Sequence, residues 1–202
     1  LPIQKCIFHV GAFVLALFGC VMCICSTAGV QWRMWHVDNI MGGSRPGLAG
    51  VGLWVACSAH RVSIKKINVL CTALPDDESL PSEIVIAQDF MPLASIVNAV
   101  TIYLLSIGVI LDLAAGTFVL ISVSWNMYSI LAKEGMKLPD VLGLLLVPKE
   151  QCVGAAIYVG FIAAGSQLLS GITKLLYLDI DFHSKLDSEI LLLLLWQSLV
   201  AE

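Results

Sequence analysis

Charged residues are scarce in this sequence. Only 13% of its 202 residues are charged, whereas 58% are hydrophobic and the mean hydropathy is +0.91. A soluble domain carries about 25% charged residues, so roughly half of the expected surface charge is missing. That deficit nearly excludes a soluble globular enzyme and indicates that much of the protein surface faces lipid.

The patterns that usually carry catalysis or ligand chemistry are missing as well. The sequence has no nucleotide-binding glycine loop, no pair of carboxylates that would face one intramembrane pocket, and no Asn-x-Ser/Thr acceptor for glycans. The formal net charge is −4, and no basic stripe with interleaved aromatic residues occurs. We therefore predict no catalytic residue, no metal, no cofactor and no nucleic-acid partner. The histidines are scattered, at His9, His36, His60 and His183.

Three hydrophobic stretches can hold four membrane crossings, each of which needs about 20 apolar residues. The first, Ile7 to Cys25, predicts one spanning helix, with a cleaved signal peptide as the alternative. The second, Phe90 to Leu131, is twice as long as one crossing and predicts a helical hairpin that turns near Gly108. A single tilted helix interrupted at Gly108 is the alternative. The third, Cys152 to Leu178, predicts the last span.

These assignments divide the chain into alternating segments. The predicted spans are 7–27, 84–105, 107–130 and 153–178, separated by loops 28–83 and 131–152 and followed by a cytoplasmic tail, 179–202. Pro92 predicts a kink or break in the second span. Asp112, the only formal charge of the central stretch, could be a proton or ion site, but an acid that marks the end of the hairpin is the simpler interpretation. Lys174 is placed to snorkel from the last span.

Small residues recur every four positions in the last span, at Ala156, Gly160 and Ala164. This spacing lets two helix backbones approach closely, which predicts packing within a helix bundle. The tail contains seven consecutive apolar residues, Ile190 to Trp196. That run is too short to cross a membrane, and a position at the membrane interface is one interpretation of it.

The first loop carries the most informative cluster of residues. Cys57 and Cys71 lie in it with thirteen residues between them. Such a pair predicts a disulfide if the loop faces an oxidising compartment, and two free cysteines are the alternative. The other five cysteines lie in or beside predicted spans, where they act as small hydrophobic residues. Trp32 and the sequence Gly52-Leu53-Trp54 precede the pair. Two interpretations of these tryptophans are open: they anchor the loop at the membrane interface, or they form the core of a small loop domain.

The order of these residues between the first two of four spans resembles the signature of the claudins, the tetraspan family of tight junctions. Other segments also resemble claudins, and the likeness reaches three of the four spans. These segments are Ala73-Leu74-Pro75, Ser124-Trp125 and Gly154-Ala155-Ala156-Ile157-Tyr158-Val159-Gly160-Phe161. The sequences Arg45-Pro46-Gly47-Leu48-Ala49 and Ile86-Ala87-Gln88 resemble those of a divergent member.

The resemblance implies an all-α transmembrane four-helix bundle that carries a small extracellular antiparallel β-sheet built from both loops. The two loop cysteines would bridge that sheet, and the signature residues Trp32, Gly52, Leu53 and Trp54 would anchor it to the bundle. It also implies a multi-pass plasma-membrane protein of tight junctions. Such a protein contacts membrane lipid and assembles with claudin-like proteins, in cis within one membrane and in trans across cells. Alternating or β-favourable segments at 30–37, 51–56 and 67–74 independently predict strands.

The sequence departs from the claudin pattern in several respects. The interval between the cysteines is longer than usual, Gln88 stands where claudins usually have an arginine, and the loop between the second and third spans is nearly absent. The last residues are Val200-Ala201-Glu202, so we expect no PDZ scaffold to bind there. The claudin orientation also places three basic residues inside and eight outside, against the positive-inside rule.

Between Ser26 and Cys71, five basic residues outweigh the one acid, Asp38, by four charges; they are Arg33, Arg45, Arg61, Lys65 and Lys66. If they line a paracellular gap, they should hinder cations relative to anions; simple solvation of the loop is the alternative. The sequence thus predicts a non-enzymatic adhesion and paracellular barrier protein. The alternatives are an auxiliary tetraspan subunit that docks laterally on a channel or receptor, and a non-functional truncated product.

Overall fold

The computed structural model describes residues 2–37, 47–63, 66–74, 80–103, 108–134 and 150–200. In chain order the elements are α1 (Pro2–Ala28), β1 (Arg33–Val37), β2 (Gly47–Val51), β3 (Val55–Ser63), β4 (Lys66–Ala73), α2 (Ser82–Tyr103), α3 (Gly108–Leu131), β5 (Glu150–Val153) and α4 (Ala155–Val200). All five strands belong to one antiparallel sheet. The described residues therefore combine four long helices with one small sheet.

All four helices are long and apolar enough to cross a membrane. By length and composition, the candidate spans are Cys6–Ala28, Ser82–Thr101, Gly108–Leu131 and Ala155–Leu192. Apolar segments of this length form helices in lipid because a helix satisfies its own backbone N–H and C=O groups where no water is present. The four helices indicate a multi-pass membrane protein.

The central hydrophobic stretch forms two separate helices that pack antiparallel. At one end of the pair, Asn126 Nδ2 donates a hydrogen bond of 2.8 Å to the carbonyl oxygen of Glu83. At the other end, a Cβ built on Gly108 would lie 3.2 Å from the side chain of Thr101. The start of α2 therefore lies at the end of α3, which is the arrangement of a hairpin. Pro92 lies inside α2, and the helix continues through it without a break.

Helix α4 is longer than one crossing requires. Its 46 residues extend about 69 Å at 1.5 Å per residue, and they continue as far as Val200 through the segment 179–202 that the sequence analysis separates as a tail. No proline or glycine follows Gly171 in the sequence, so no helix-breaking residue interrupts the part of α4 beyond that position. An ion pair between residues one helical turn apart stabilises this last part of α4, where Lys185 Nζ lies 3.0 Å from Asp181 Oδ2.

The sheet joins the two segments that connect α1 to α2 and α3 to α4. Its strand order is β4-β3-β2-β1-β5, and every neighbouring pair is antiparallel. Strands β1 to β4 come from the first segment and β5 comes from the second. The pairing of β1 with β5 therefore unites both segments in one surface, in the way the claudin resemblance implies.

One face of the sheet packs on the start of α2. Trp35 and Ala49 are directly opposed on β1 and β2 and are 0% and 1% exposed. They share one hydrophobic core with Ile84 and Ala87 of α2, and this core continues between the helices. The shared core holds the sheet against one end of the helix bundle.

Candidate functional site

A disulfide joins the two loop cysteines, as the sequence predicts. Cys57 and Cys71 are directly opposed on β3 and β4, with their Cα atoms 4.0 Å apart. Closing a loop of this length removes conformational entropy from the unfolded chain and contributes about 3 kcal/mol in the chain-entropy model. The other cysteines are free thiols among the described residues, and Cys20 and Cys23 are buried in the bundle.

The face opposite the core carries an exposed row of side chains across four strands. Because opposed residues of antiparallel strands point to the same face, the register aligns His36, Leu48, Ala59 and Val69; we call these four residues the outer row. Leu48 is 39% exposed and Val69 is 62% exposed. The disulfide lies on the same face, two residues further along β3 and β4. The bridge therefore stiffens the strands that display the outer row.

Three of the signature residues tie the sheet to the helices. The indole Nε1 of Trp32 donates to the Ser26 carbonyl oxygen, at the end of α1, over 2.8 Å. Leu53 is 1% exposed, and its carbonyl oxygen accepts a 2.6 Å hydrogen bond from Gln88 Nε2 of α2. A Cβ on Gly52 would lie 2.5 Å from the carbonyl oxygen of the residue after α1, Gly29, so only glycine allows this approach.

The fourth signature residue, Trp54, occupies a different environment. Its side chain is 45% exposed and borders an open apolar groove between α1 and α2. Ile24, Pro92 and Ile96 line the same groove. Trp54 therefore lies at the level where the helices meet the sheet, a position that amphipathic aromatic rings favour at a membrane interface.

Arg33 corrects one sequence-based expectation. It is 1% exposed, and its Nη2 lies 2.6 Å from Glu83 Oε1, so it does not contribute a free charge to an ion-accessible surface. Alternation along β1 explains the burial, because Arg33 shares a face with Trp35 and not with His36. Glu83, in the first turn of α2, supplies the partner that a buried guanidinium requires. The sequence analysis did not single out Glu83.

A hydroxyl extends this ion pair to the end of α3. Ser129 Oγ accepts from Arg33 Nη2 over 3.2 Å and lies 2.6 Å from Glu83 Oε1 and 2.9 Å from Glu134 Oε2. Its single hydrogen serves one carboxylate at a time. The network therefore links β1, α2 and the residues after α3, and it fixes the sheet relative to two helices.

The other four residues of the predicted selectivity set belong to the first inter-helix segment as well. Arg45 and Lys65 lie outside the described residues. Arg61 belongs to β3 and Lys66 begins β4, on either side of the hairpin that the disulfide closes. Their side chains also lie outside the description.

The small-residue stripe of α4 lies inside the bundle. Ala156, Gly160 and Ala164 are all buried. Ser26 Oγ of α1 donates to the Ala156 carbonyl oxygen over 2.7 Å. A Cβ on Gly160 would overlap the side chain of Val123 of α3. The stripe therefore packs α4 against two helices of the same chain.

A second buried ion pair lies at the opposite end of the bundle. Lys174 Nζ lies 2.8 Å from Asp112 Oδ2, and Ser170 Oγ donates to the same oxygen over 2.7 Å. Asp112 is fully buried and the Lys174 side chain is 11% exposed, so this lysine turns inward and does not snorkel as predicted. The sequence does not reveal that these two charges pair, because they are 62 residues apart.

Comparison of the sequence with protein-family models gives no match, and comparison with curated proteins gives none either. Within the described ranges, no group of three or more His, Cys, Asp and Glu residues is arranged to hold a metal ion.

Proposed function

We propose that this chain is a claudin-like adhesion and paracellular barrier protein of tight junctions. The observation that carries the proposal is the sheet: a disulfide-closed surface, built from both inter-helix segments and packed on one end of a four-helix membrane bundle. A rigid surface fixed at the membrane suits contact with an identical surface on an apposed cell.

The outer row supplies a contact surface of the required kind. Leu48 and Val69 expose apolar side chains on the face that does not pack on the helices. Apolar side chains that share one exposed face are candidate contact sites for other proteins. In the proposal, these residues meet claudin-like chains in cis and in trans, and the joined sheets close the gap between cells.

Cell mixing tests the adhesive role. Tagged protein is expressed in cells that lack tight junctions, and these cells are mixed with non-expressing cells. Enrichment only at contacts between two expressing cells, with raised electrical resistance across epithelial monolayers, is the expected result. Uniform distribution together with co-purification of a channel or receptor would instead support the auxiliary-subunit alternative.

A matched pair of variants ties the result to the outer row. Val69→Asp places a charge on the exposed face, whereas Leu70→Asp places the same charge on the opposite face of the same strand, where the side chain is 48% exposed. We expect Val69→Asp to abolish enrichment at contacts and Leu70→Asp to retain it, with both variants at the cell surface. Equal adhesion by both variants would exclude this row as the contact.

The orientation of the chain in the membrane is tested first, because the positive-inside rule opposes the proposed placement of both inter-helix segments outside the cell. Glycosylation acceptor sites engineered near Ser44 and near Lys137, in separate variants, report which segments reach the lumenal side. Modification at both positions is expected, since β1 and β5 belong to one sheet. Modification near Ser44 alone would contradict both the hairpin and the barrier function.

A further inference from the structure

A cavity of about 220 Å³ lies in the helix bundle at the end remote from the sheet. All four helices contribute to its wall, which is mainly apolar. Among its lining residues are Phe8, Ala12 and Phe13 of α1, Thr101 of α2, Val109 of α3 and Lys174 of α4. None of these residues belongs to the proposed adhesion surface.

The cavity opens sideways between the helices. Its deep residues Ala12 and Thr101 are 2% and 1% exposed, whereas Phe8, Phe13 and Leu178 at its rim are 38%, 41% and 49% exposed. The exposed rim residues lie within candidate membrane spans and are apolar. A molecule dissolved in the membrane can therefore reach the cavity directly from the lipid.

Lys174 is the one formally charged side chain in the described part of the wall. Its ammonium group has three N–H donors, and Asp112 Oδ2 accepts one of them at 2.8 Å. The other oxygen of that carboxylate, Oδ1, is buried and has no hydrogen-bond partner within the described ranges. The Lys174 ammonium group therefore presents hydrogen-bond donors to the cavity, whose mainly apolar wall also includes His9, Thr101 and Tyr177, and a polar ligand group can accept from it.

We propose that this cavity binds a neutral single-chain membrane amphiphile, of the monoacylglycerol type, with its acyl chain along the apolar wall and a hydroxyl at Lys174. The charge argument favours a neutral head group. Asp112 already neutralises Lys174, so an anionic head group would meet the repulsion of that carboxylate at low dielectric. The cavity volume admits part of one acyl chain and no second chain, because an apolar cavity of about 150 Å³ holds only a benzene-sized molecule.

Photolabelling tests the proposal on the intact protein in lipid nanodiscs. The probe is a monoacylglycerol with a diazirine in its acyl chain, and competitors are unlabelled monoacylglycerol, the fatty acid anion and the alkane of equal chain length. We expect saturable labelling of α1 and α4 residues at the cavity, with monoacylglycerol the strongest competitor. Labelling spread over lipid-facing surfaces, or equal competition by the alkane, would overturn the proposal.

A cavity-filling variant locates the site. Val109→Trp fills the cavity, whereas Ile110→Trp adds the same volume at the next position, which is 71% exposed on the outside of α3. We expect saturable labelling to fall about tenfold in Val109→Trp and to persist in Ile110→Trp. Thermal unfolding of both variants shows that they are folded. Equal saturable labelling of two folded variants would contradict the cavity as the site.

A double variant tests the head-group contact. Asp112→Leu with Lys174→Met removes both charges together, so neither remains buried without its partner. We expect monoacylglycerol then to compete no better than the alkane. A preference for monoacylglycerol that persists at about tenfold in this variant would overturn the role of Lys174 and Asp112.

Discussion

At the scale of single residues, Arg33 changes the electrostatic description of the first inter-helix segment. From Ser26 to Cys71 the sequence carries an excess of four positive charges, but Arg33 is buried and neutralised by Glu83. Arg33 therefore adds no free positive charge to a surface that ions can reach. The buried pair instead holds β1 against the start of α2.

Breaking that pair should destabilise the protein strongly. In Arg33→Gln the Glu83 carboxylate stays buried without a cation, which costs about 3–5 kcal/mol. The double variant Arg33→Gln with Glu83→Gln removes both charges and should recover most of the loss. Thermal unfolding of the purified variants in nanodiscs measures both effects. A single variant as stable as the wild type would show that the pair contributes nothing.

Replacing either cysteine of the disulfide should destabilise the protein to the same extent. Cys57→Ser and Cys71→Ser each open the same loop, so each should lower the free energy of unfolding by about 3 kcal/mol and reduce surface expression equally. Cys152→Ser is the matched control, because Cys152 is an exposed free thiol on β5 of the same sheet. Surface biotinylation compares the three. Normal surface expression of either bridge variant would contradict a structural role.

At the scale of secondary-structure elements, the end of α3 is defined by an unusual residue. Lys133 has φ of 57°, in the left-handed region that favours glycine. The Lys133 N–H bonds to the Ile130 carbonyl oxygen and the Glu134 N–H bonds to that of Ser129, each over 3.1 Å. This is the Schellman pattern of a helix C-terminus. It also returns Glu134 to Ser129 and so completes the polar network beneath the sheet.

Replacing this lysine by glycine should stabilise the protein. A left-handed conformation costs a residue with a Cβ about 1–2 kcal/mol, so Lys133→Gly should raise the free energy of unfolding by about 1 kcal/mol and Tm by about 2–4 °C. Lys133→Ala keeps the Cβ and should leave Tm nearly unchanged. Equal Tm values for the two variants would show that backbone conformation is not the cause.

The elements divide clearly between those that sequence predicts and those that it does not. Long apolar runs predict α1 to α4, because a membrane helix satisfies its backbone locally and depends little on neighbours. The continuation of α4 beyond residue 178 was missed, because acidic residues after Leu178 suggested a separate tail. A strand from the second loop was expected only through the claudin resemblance; the four residues of β5 carry no pattern that predicts it, since they pair with β1, more than 100 positions away in the chain.

At the scale of the whole molecule, the sheet combines a disulfide hairpin with basic residues at its β3–β4 end. If that end lines a paracellular gap, the double variant Arg61→Gln with Lys66→Gln, which removes both positive charges, should raise the sodium-to-chloride permeability ratio of expressing monolayers. Lys185→Gln is the control, because this lysine is 76% exposed on α4 at the end of the molecule remote from the sheet. An unchanged ratio in the double variant would exclude these charges as the source of selectivity.

The two ion pairs lie at opposite ends of the same bundle. Arg33 with Glu83 holds the sheet end, and Asp112 with Lys174 joins α3 to α4 at the other. Each pair places a cation beside an acid that would otherwise be uncompensated at low dielectric. The pair of Asp112 and Lys174 therefore stabilises the hairpin end of α3, and its lysine also lines the cavity.

The sequence by itself determined the apolar stretches that form the helices, the approximate ends of α1 to α3 and the candidate cysteine pair, because these depend on composition and local order along the chain. Only the tertiary structure decided that Arg33 is internal and that Lys174 turns towards Asp112. It also decided that β1 and β5 form one sheet and that Trp54 remains half exposed. Each of these outcomes depends on which groups meet across long separations. A charged residue is buried only where folding brings it a partner, and neighbouring residues in the sequence do not reveal that partner.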